Sequence, residues 1–124
     1  MKMQPDRLEG VNVVSRLEAQ ALWVHQTRFA HSVLVPHRGL VTPWTPSAFD
    51  ELSASHFEEI VALRPELIVL GVGKRLRFPV AAALRPLIAA GIGHEVMDTA
   101  AACRTYNVLA SEGRAVTAAL LLEV

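Results

Sequence analysis

The chain has almost no sulfur chemistry, few aromatic rings and no surplus of charge. Cys103 is the one cysteine in 124 residues. A single cysteine closes no internal disulfide and builds no cysteine-based zinc site, so a reducing compartment is expected, and with it a cytoplasmic location. Aromatic residues make up 6% of the chain against 52% hydrophobic overall, so any core must be assembled from Val, Leu, Ile and Ala. The 12 Lys and Arg are matched by 12 Asp and Glu. A general nucleic-acid binder is normally basic, so nucleic acid is not an expected partner. Zero net charge also leaves little repulsion against self-association, and a homodimer stays open. No apolar segment approaches the roughly 20 residues that span a bilayer, which speaks against membrane insertion. The opening "MKMQPDRLEG" has no apolar h-region, and residues 1–10 read as a flexible lead-in rather than a secretory signal. Histidines at 25, 31, 37, 56 and 94 show no metal spacing. No pair falls at i, i+4 on a helix and no His-Glu-x-x-His occurs, so neither a metal nor another cofactor is expected.

What is present fits one domain over residues 1–124, long enough to bury a real core. No internal repeat or low-complexity tract interrupts it. The first half reads as β: residues 11–17, 21–29 and 31–37 are rich in β-branched and aromatic side chains. A stiff Pro- and Gly-containing loop follows over 36–47, unsuited to a helix or a central strand. The second half alternates. "SASHFEEIVALRP" is a helix, with Ser55 and Glu58 as a capping box and Pro65 as its stop. "ELIVLG" (66–71) is a short continuous apolar run that suits a strand covered on both faces. "AAALRPLIAAG" is a helix capped by Gly91, with Pro86 harmless if the helix begins near Ala82 or Ala83. "GHEVM" is a strand. "TAAACRTYNVLASEG" is a helix with Asp98 or Thr99 as N-cap and Gly113 as stop. "RAVTAALLLEV" is a final apolar strand. The order β-β-β-α-β-α-β-α-β implies βαβ crossovers and a mixed or parallel central sheet, with a small antiparallel layer contributed by the early strands. Strands at 67–71, 94–97 and 115–121 are expected in one sheet.

The segments "PELIVLGVGKRLRFP" and "AGIGHEVMDTAAACRTYNVLASEGRAVTAALLL" resemble the MTH938-like family, the domain of unknown function 498 (DUF498). The family pattern is a strand, Gly-x-Gly with basic residues, Phe-Pro, a helix, and then an "MDT-A-A-C-R-T-Y-N" block opening the next helix. The match runs from about Trp44 to the C-terminus. Asp98, Thr99, Ala102, Cys103, Tyr106 and Asn107 stand where the motif has them. Val72 is a departure, since many relatives carry a small hydroxyl residue there. The resemblance implies a single three-layer α/β domain around a mixed sheet. It also implies an interaction or assembly role, because some eukaryotic relatives act in assembly of mitochondrial respiratory complex I.

Two junctions carry the candidate chemistry. Gly71 and Gly73 close a strand, and Lys74, Arg75 and Arg77 follow. Ligands of open α/β sheets bind beyond the carboxyl ends of strands, and a Gly-x-Gly turn can aim N–H groups at an anion. The stretch lacks the second half of a P-loop and the third glycine of a dinucleotide fingerprint. The expectation is therefore a tight turn first and a weak phosphate-type anion site second, with Phe78 tucked under the sheet. Asp98 and Thr99 open the next helix beside that turn. Asp98 serves either as a cap or as the carboxylate of a Gly71–Asp98 crevice. Cys103 lies one turn further on with Arg104 adjacent. Packing as a small apolar side chain is the structural reading of Cys103, and a reactive thiol or a Cys103–His94 pair is the chemical one. Trp44 is expected to fold over the sheet edge and pin its proline-flanked loop.

Three function classes follow, in order. The first is a non-catalytic interaction or assembly-factor-like protein whose partner is another protein, for membrane or respiratory complexes by the resemblance. The second is a small-anion or nucleotide-binding module at the crevice. The third is an enzyme using Asp98 or Cys103, ranked last because no base–nucleophile pair is evident.

Overall fold

The computed structural model describes residues 10–123. Of the expected flexible lead-in, all but Gly10 lies outside the described residues.

The N-terminal strands form an antiparallel meander: β1 (Val14–Glu18), β2 (Ala21–Val24) and β3 (Thr27–Phe29). The single strand expected over 21–29 is thus a hairpin. His25 adopts φ 54, a left-handed angle that reverses the chain, and the alternation of 21–29 runs through a two-residue turn. β4 (Val33–Pro36) leaves the meander and joins the main sheet, together with the short edge strand β5 (Thr42–Pro43). Pro43 is tolerated there because an edge position needs no second partner for its missing N–H.

The βα half supplies α1 (Ala54–Val61), β6 (Leu67–Gly71), α2 (Ala81–Ala89), β7 (Gly93–Met97), α3 (Thr99–Ser111) and β8 (Val116–Leu120). The main sheet has the order β5-β4-β8-β6-β7. β6 is parallel to β7 and β8, and β4 is antiparallel to β8. The three strands expected in one sheet are in one sheet, and the mixed character comes from β4.

Alternation along the buried strands builds the layers. Val69, Val116, Ala118, Leu120, Val33 and Val35 point to one side, where they meet Ala102, Cys103 and Tyr106 of α3 and Leu22 and Val24 of β2. Ile68, Leu70, Ala119 and Leu34 point to the other side and meet Phe57 and Ile60 of α1 and Ala83 and Leu87 of α2. A strand buried on both faces favours apolar side chains at every position, which is why β6 reads as an unbroken apolar run and β8 as one interrupted only by the buried Thr117. Three layers result, with the main sheet in the middle.

Helix ends differ from expectation in three places. α1 begins at Ala54 with Ser53 as N-cap, and the reciprocal partner is His56, whose Nδ1 accepts from the Ser53 N–H at 3.1 Å. The box is shifted from Ser55/Glu58 because the chain enters the helix two residues earlier, and histidine can play the part of Glu. α1 also ends before Pro65, at the Ala62 cap, and Arg64 then turns with φ 53. α2 starts at Ala81 after the Val80 cap, so Pro86 lies inside the helix and the Ala82 carbonyl has no i+4 donor. Ala82 is on an exposed face, so that carbonyl is not left in an apolar interior. α3 opens on Asp98, whose Oδ1 accepts from the Ala101 N–H at 2.9 Å, and Gly113 follows it with φ 86. The last strand stops at Leu120, short of the 114–124 run expected for it.

Trp44 is 2% exposed. Its Nε1–H donates to the His56 carbonyl at 3.0 Å and its ring meets Phe57 edge-on. The proline-flanked loop is pinned to α1 in this way.

Candidate functional site

The Gly71–Gly73 turn and the start of α3 are adjacent, because β6 and β7 pair in parallel with Gly71 opposite Met97. The two glycines serve different ends. Gly73 has φ 105, a conformation that strongly favours glycine. Gly71 is in the strand, but a Cβ there would lie 2.9 Å from Thr99 Cα and 3.1 Å from Ala102 Cβ. Its missing side chain lets α3 pack directly on the end of β6. Of the two, only Gly73 needs a backbone angle closed to other residues.

Thr99 is the hinge pin. It is 5% exposed. Its Oγ1 accepts from the Gly73 N–H at 2.9 Å and donates to the Leu121 carbonyl at 2.9 Å. Its own N–H donates to the Gly73 carbonyl at 2.9 Å. The Val72 N–H donates to the Met97 carbonyl and the Leu121 N–H to the Gly71 carbonyl, each at 2.9 Å. The amides of Val72 and Gly73 are therefore already engaged with the protein, and Asp98 caps Ala101. Val72 is fully buried, so a valine in place of a hydroxyl residue is satisfied by packing.

The three cations after the turn part company. Lys74 and Arg75 are exposed. Arg77 folds back: its Nη2 donates to Glu123 Oε1 at 3.0 Å and to the Val72 carbonyl at 3.1 Å, and its guanidinium lies 4.4 Å from the centre of the Phe49 ring. Glu123 Oε2 in turn accepts from the Phe49 N–H at 2.9 Å. Glu123 thus ties the end of the chain to the one-turn 3-10 helix Phe49–Glu51. Phe78 is 68% exposed and does not tuck under the sheet. The chain bends through Gly73, Lys74 and Arg75, and beyond the bend Arg77 and Pro79 take the inward positions instead.

A cleft of about 310 Å³ opens between the β1–β2 turn and this junction. Leu17, Glu18 and Ala19 form one wall, Leu121 and Leu122 the floor, and Gly73, Lys74, Asp98 and Thr99 the opposite side. A neighbouring hollow of about 300 Å³ lies between β1 and α3 and is lined in part by Arg16, Cys103, Arg104 and Asn107. Cys103 is 6% exposed, and burial pushes its thiol up to about 11, with exposed Arg104 only partly offsetting this. At neutral pH it is a thiol, not a thiolate. His94 sits on β7, and among the described residues no hydrogen bond joins it to Cys103. No group of three or more metal-ligating side chains converges among the described residues.

Two residues of the motif have structural roles that their spacing did not disclose. The Tyr106 hydroxyl donates to the carbonyls of Asn12 and Pro36 at 2.8 and 3.1 Å. Burial raises its pKa above the usual phenol range. The Asn107 side chain accepts from the Val14 N–H at 2.9 Å and donates to the Val14 carbonyl at 2.8 Å. It therefore pairs with β1 as a strand would. The signal was the Tyr-Asn pair itself, two polar groups on a helix otherwise rich in alanine. Glu123 gave no signal in the sequence beyond being an acid after an apolar strand.

Comparison with known proteins agrees with this architecture. A crystal structure from Bordetella parapertussis superposes with a TM-score of 0.86 at 36% identity, covering 92% of this chain and 98% of that one. A Mth938-like domain from Bordetella pertussis, solved by NMR, superposes with a TM-score of 0.85 at 31% identity over 99% of this chain and 93% of that one. Assembly factor 3 of the NADH dehydrogenase [ubiquinone] 1 alpha subcomplex from Bos taurus is 34% identical over 95 residues, 75% of this chain and 50% of that protein. The chain spans about half the length of such relatives. The model of the family described as protein of unknown function (DUF498/DUF598) matches residues 14–121. That match over most of the chain, with the superpositions, places the chain in the DUF498/DUF598 family, with a Mth938-like fold.

Proposed function

We propose that this protein is a non-catalytic interaction protein that assists assembly of a multi-subunit complex, of the respiratory NADH dehydrogenase kind. The observation that carries the reading is how the motif residues are used. Thr99, Arg77, Tyr106 and Asn107 each hold one element to another, Asp98 caps its own helix, and Cys103 is a buried thiol. A motif spent on rigidity maintains a surface rather than a reaction centre. Similarity to the Bos taurus assembly factor supports the same class. The test is deletion of the gene in its own host, followed by native electrophoresis of the respiratory NADH dehydrogenase. Loss of the assembled complex, restored by the intact chain, is expected. A complex that assembles normally without the protein would remove the proposal.

A second reading is favoured by the cleft of about 310 Å³ beside Gly73 and Lys74. It takes a small anion held by Lys74 and Arg75 near the α3 start. The engaged amides of Val72 and Gly73 limit it to weak binding, on the order of millimolar. Phosphate titration followed by NMR tests it. Amides of residues 71–77 and 98–101 should move together, and the shifts should vanish when Lys74, Arg75 and Arg77 are replaced by alanine.

A further inference from the structure

The segment between Gly73 and α2 has an arrangement that neither reading uses. Leu76, Phe78 and Val80 are 52%, 68% and 70% exposed, while Pro79 between them is buried and Arg77 is turned inward to Glu123. From Leu76 to Val80 exposed positions alternate with buried or half-buried ones, the pattern of side chains that point to opposite sides in turn. Three large apolar groups therefore stand on one side of this strap and face solvent. The apolar line continues onto α2. Val80, Leu84 and Ile88 follow at i, i+4 and i+8; Leu84 is half-buried against the core below, and Ile88 is 63% exposed.

Charge is segregated over the same stretch. From Leu67 to His94 there is no Asp or Glu, although the whole chain is balanced. Lys74, Arg75 and Arg85 are exposed, and among the described residues none of them is in an ion pair. Neither cleft described above is lined by Leu76, Phe78 or Val80. They project from the surface, with cations beside them.

We infer that this strap is a peripheral docking site for an anionic lipid surface. Leu76, Phe78 and Val80 would enter the headgroup–acyl boundary, and Lys74, Arg75 and Arg85 would meet the lipid phosphates. Apolar side chains beside a basic patch supply the two contributions that reversible membrane attachment requires. No spanning segment is involved, and no helix among the described residues is long and apolar enough to cross a membrane. The inference is independent of the assembly reading, because it concerns purified protein and lipid alone.

Flotation of the intact chain with phosphatidylglycerol–phosphatidylcholine vesicles tests it against phosphatidylcholine vesicles. Binding to the anionic vesicles alone, weakened by salt, is expected. Replacing Lys74, Arg75 and Arg85 by Glu should lower the partition coefficient by roughly tenfold or more. The Leu76→Ser/Phe78→Ser/Val80→Ser variant should lose it as well. Since Phe78 is exposed, the Phe78→Trp variant should fold normally. The emission of its added indole, taken as the difference from wild type, should shift to the blue on anionic vesicles. No partitioning at low salt, partitioning of the charge or serine variant as strong as that of wild type, or an unshifted indole emission in vesicle-bound protein would each overturn the inference. So would a strap silent towards vesicles whose substitution abolishes co-purification of an acidic protein partner.

Discussion

Among individual side chains, burial dominates the chemistry of the motif. Cys103 illustrates the sign. Its thiol titrates near 9 when unfolded and near 11 in the fold. Below pH 9 both states are protonated and no linkage arises. Between pH 9 and 11 only the unfolded state releases the proton, so stability falls across that window, by an amount on the order of 2–3 kcal/mol. Urea melts of wild type and Cys103→Ala from pH 7 to 11 should show the wild type losing more stability above pH 9. Tyr106, also raised, contributes to both proteins alike, so the difference isolates the thiol. Labelling of native Cys103 by a thiol reagent at pH 7 should be slow and should track unfolding. Gly71 makes the complementary case. With Thr99 Cα 2.9 Å from the position a Cβ would take, Gly71→Ala forces backbone apart and should cost about 1–3 kcal/mol in chemical denaturation.

Between secondary-structure elements, two side chains of α3 act as fasteners. Thr99→Val leaves the Gly73 N–H and the Leu121 carbonyl without their partner in a buried setting. A loss of about 1–3 kcal/mol per group is expected, and Thr99→Ser should recover most of it. Asn107→Ala should act further away. It frees both backbone groups of Val14, so hydrogen exchange should accelerate in β1 and β2 while β6 and β8 stay protected. The sequence disclosed α3 and its Asp98 cap, because capping chemistry is local. It did not disclose that Asn107 reaches Val14, since a contact 93 residues apart leaves no periodicity. The hairpin at His25 was hidden for a related reason. A left-handed histidine is an uncommon turn residue, and flanking strands of opposite direction keep the same apolar alternation.

For the molecule as a whole, one sheet is shared by both cores. Neither outer layer can detach without exposing a face of β4, β6 and β8, so unfolding should be a single transition. The two tryptophans report on different layers. Trp23 lies on β2 between Arg16 and Arg28, and Trp44 is packed on Phe57. In the single-tryptophan variants Trp23→Phe and Trp44→Phe, the fluorescence midpoint in urea should coincide with the circular dichroism midpoint of the same variant. A fluorescence midpoint that departs from it in Trp44→Phe would mean that the N-terminal meander melts on its own.

Fold class was legible along the chain alone. The apolar run at 67–71 and the nearly apolar run at 116–120 demand cover on both faces, and helices between them demand crossovers; both are consequences of burial read along a line. Cap residues and glycine stops added half of the helix ends, namely the end of α2 and both ends of α3. Where the side chains of the basic loop go was decided only in three dimensions. Lys74, Arg75 and Arg77 are equivalent as letters, yet Glu123, brought in by β8, takes Arg77 inward and turns Phe78 out. An ion pair between residues 46 apart is set by sheet order, and sheet order follows from the free energy of the whole packed core rather than from any local pattern.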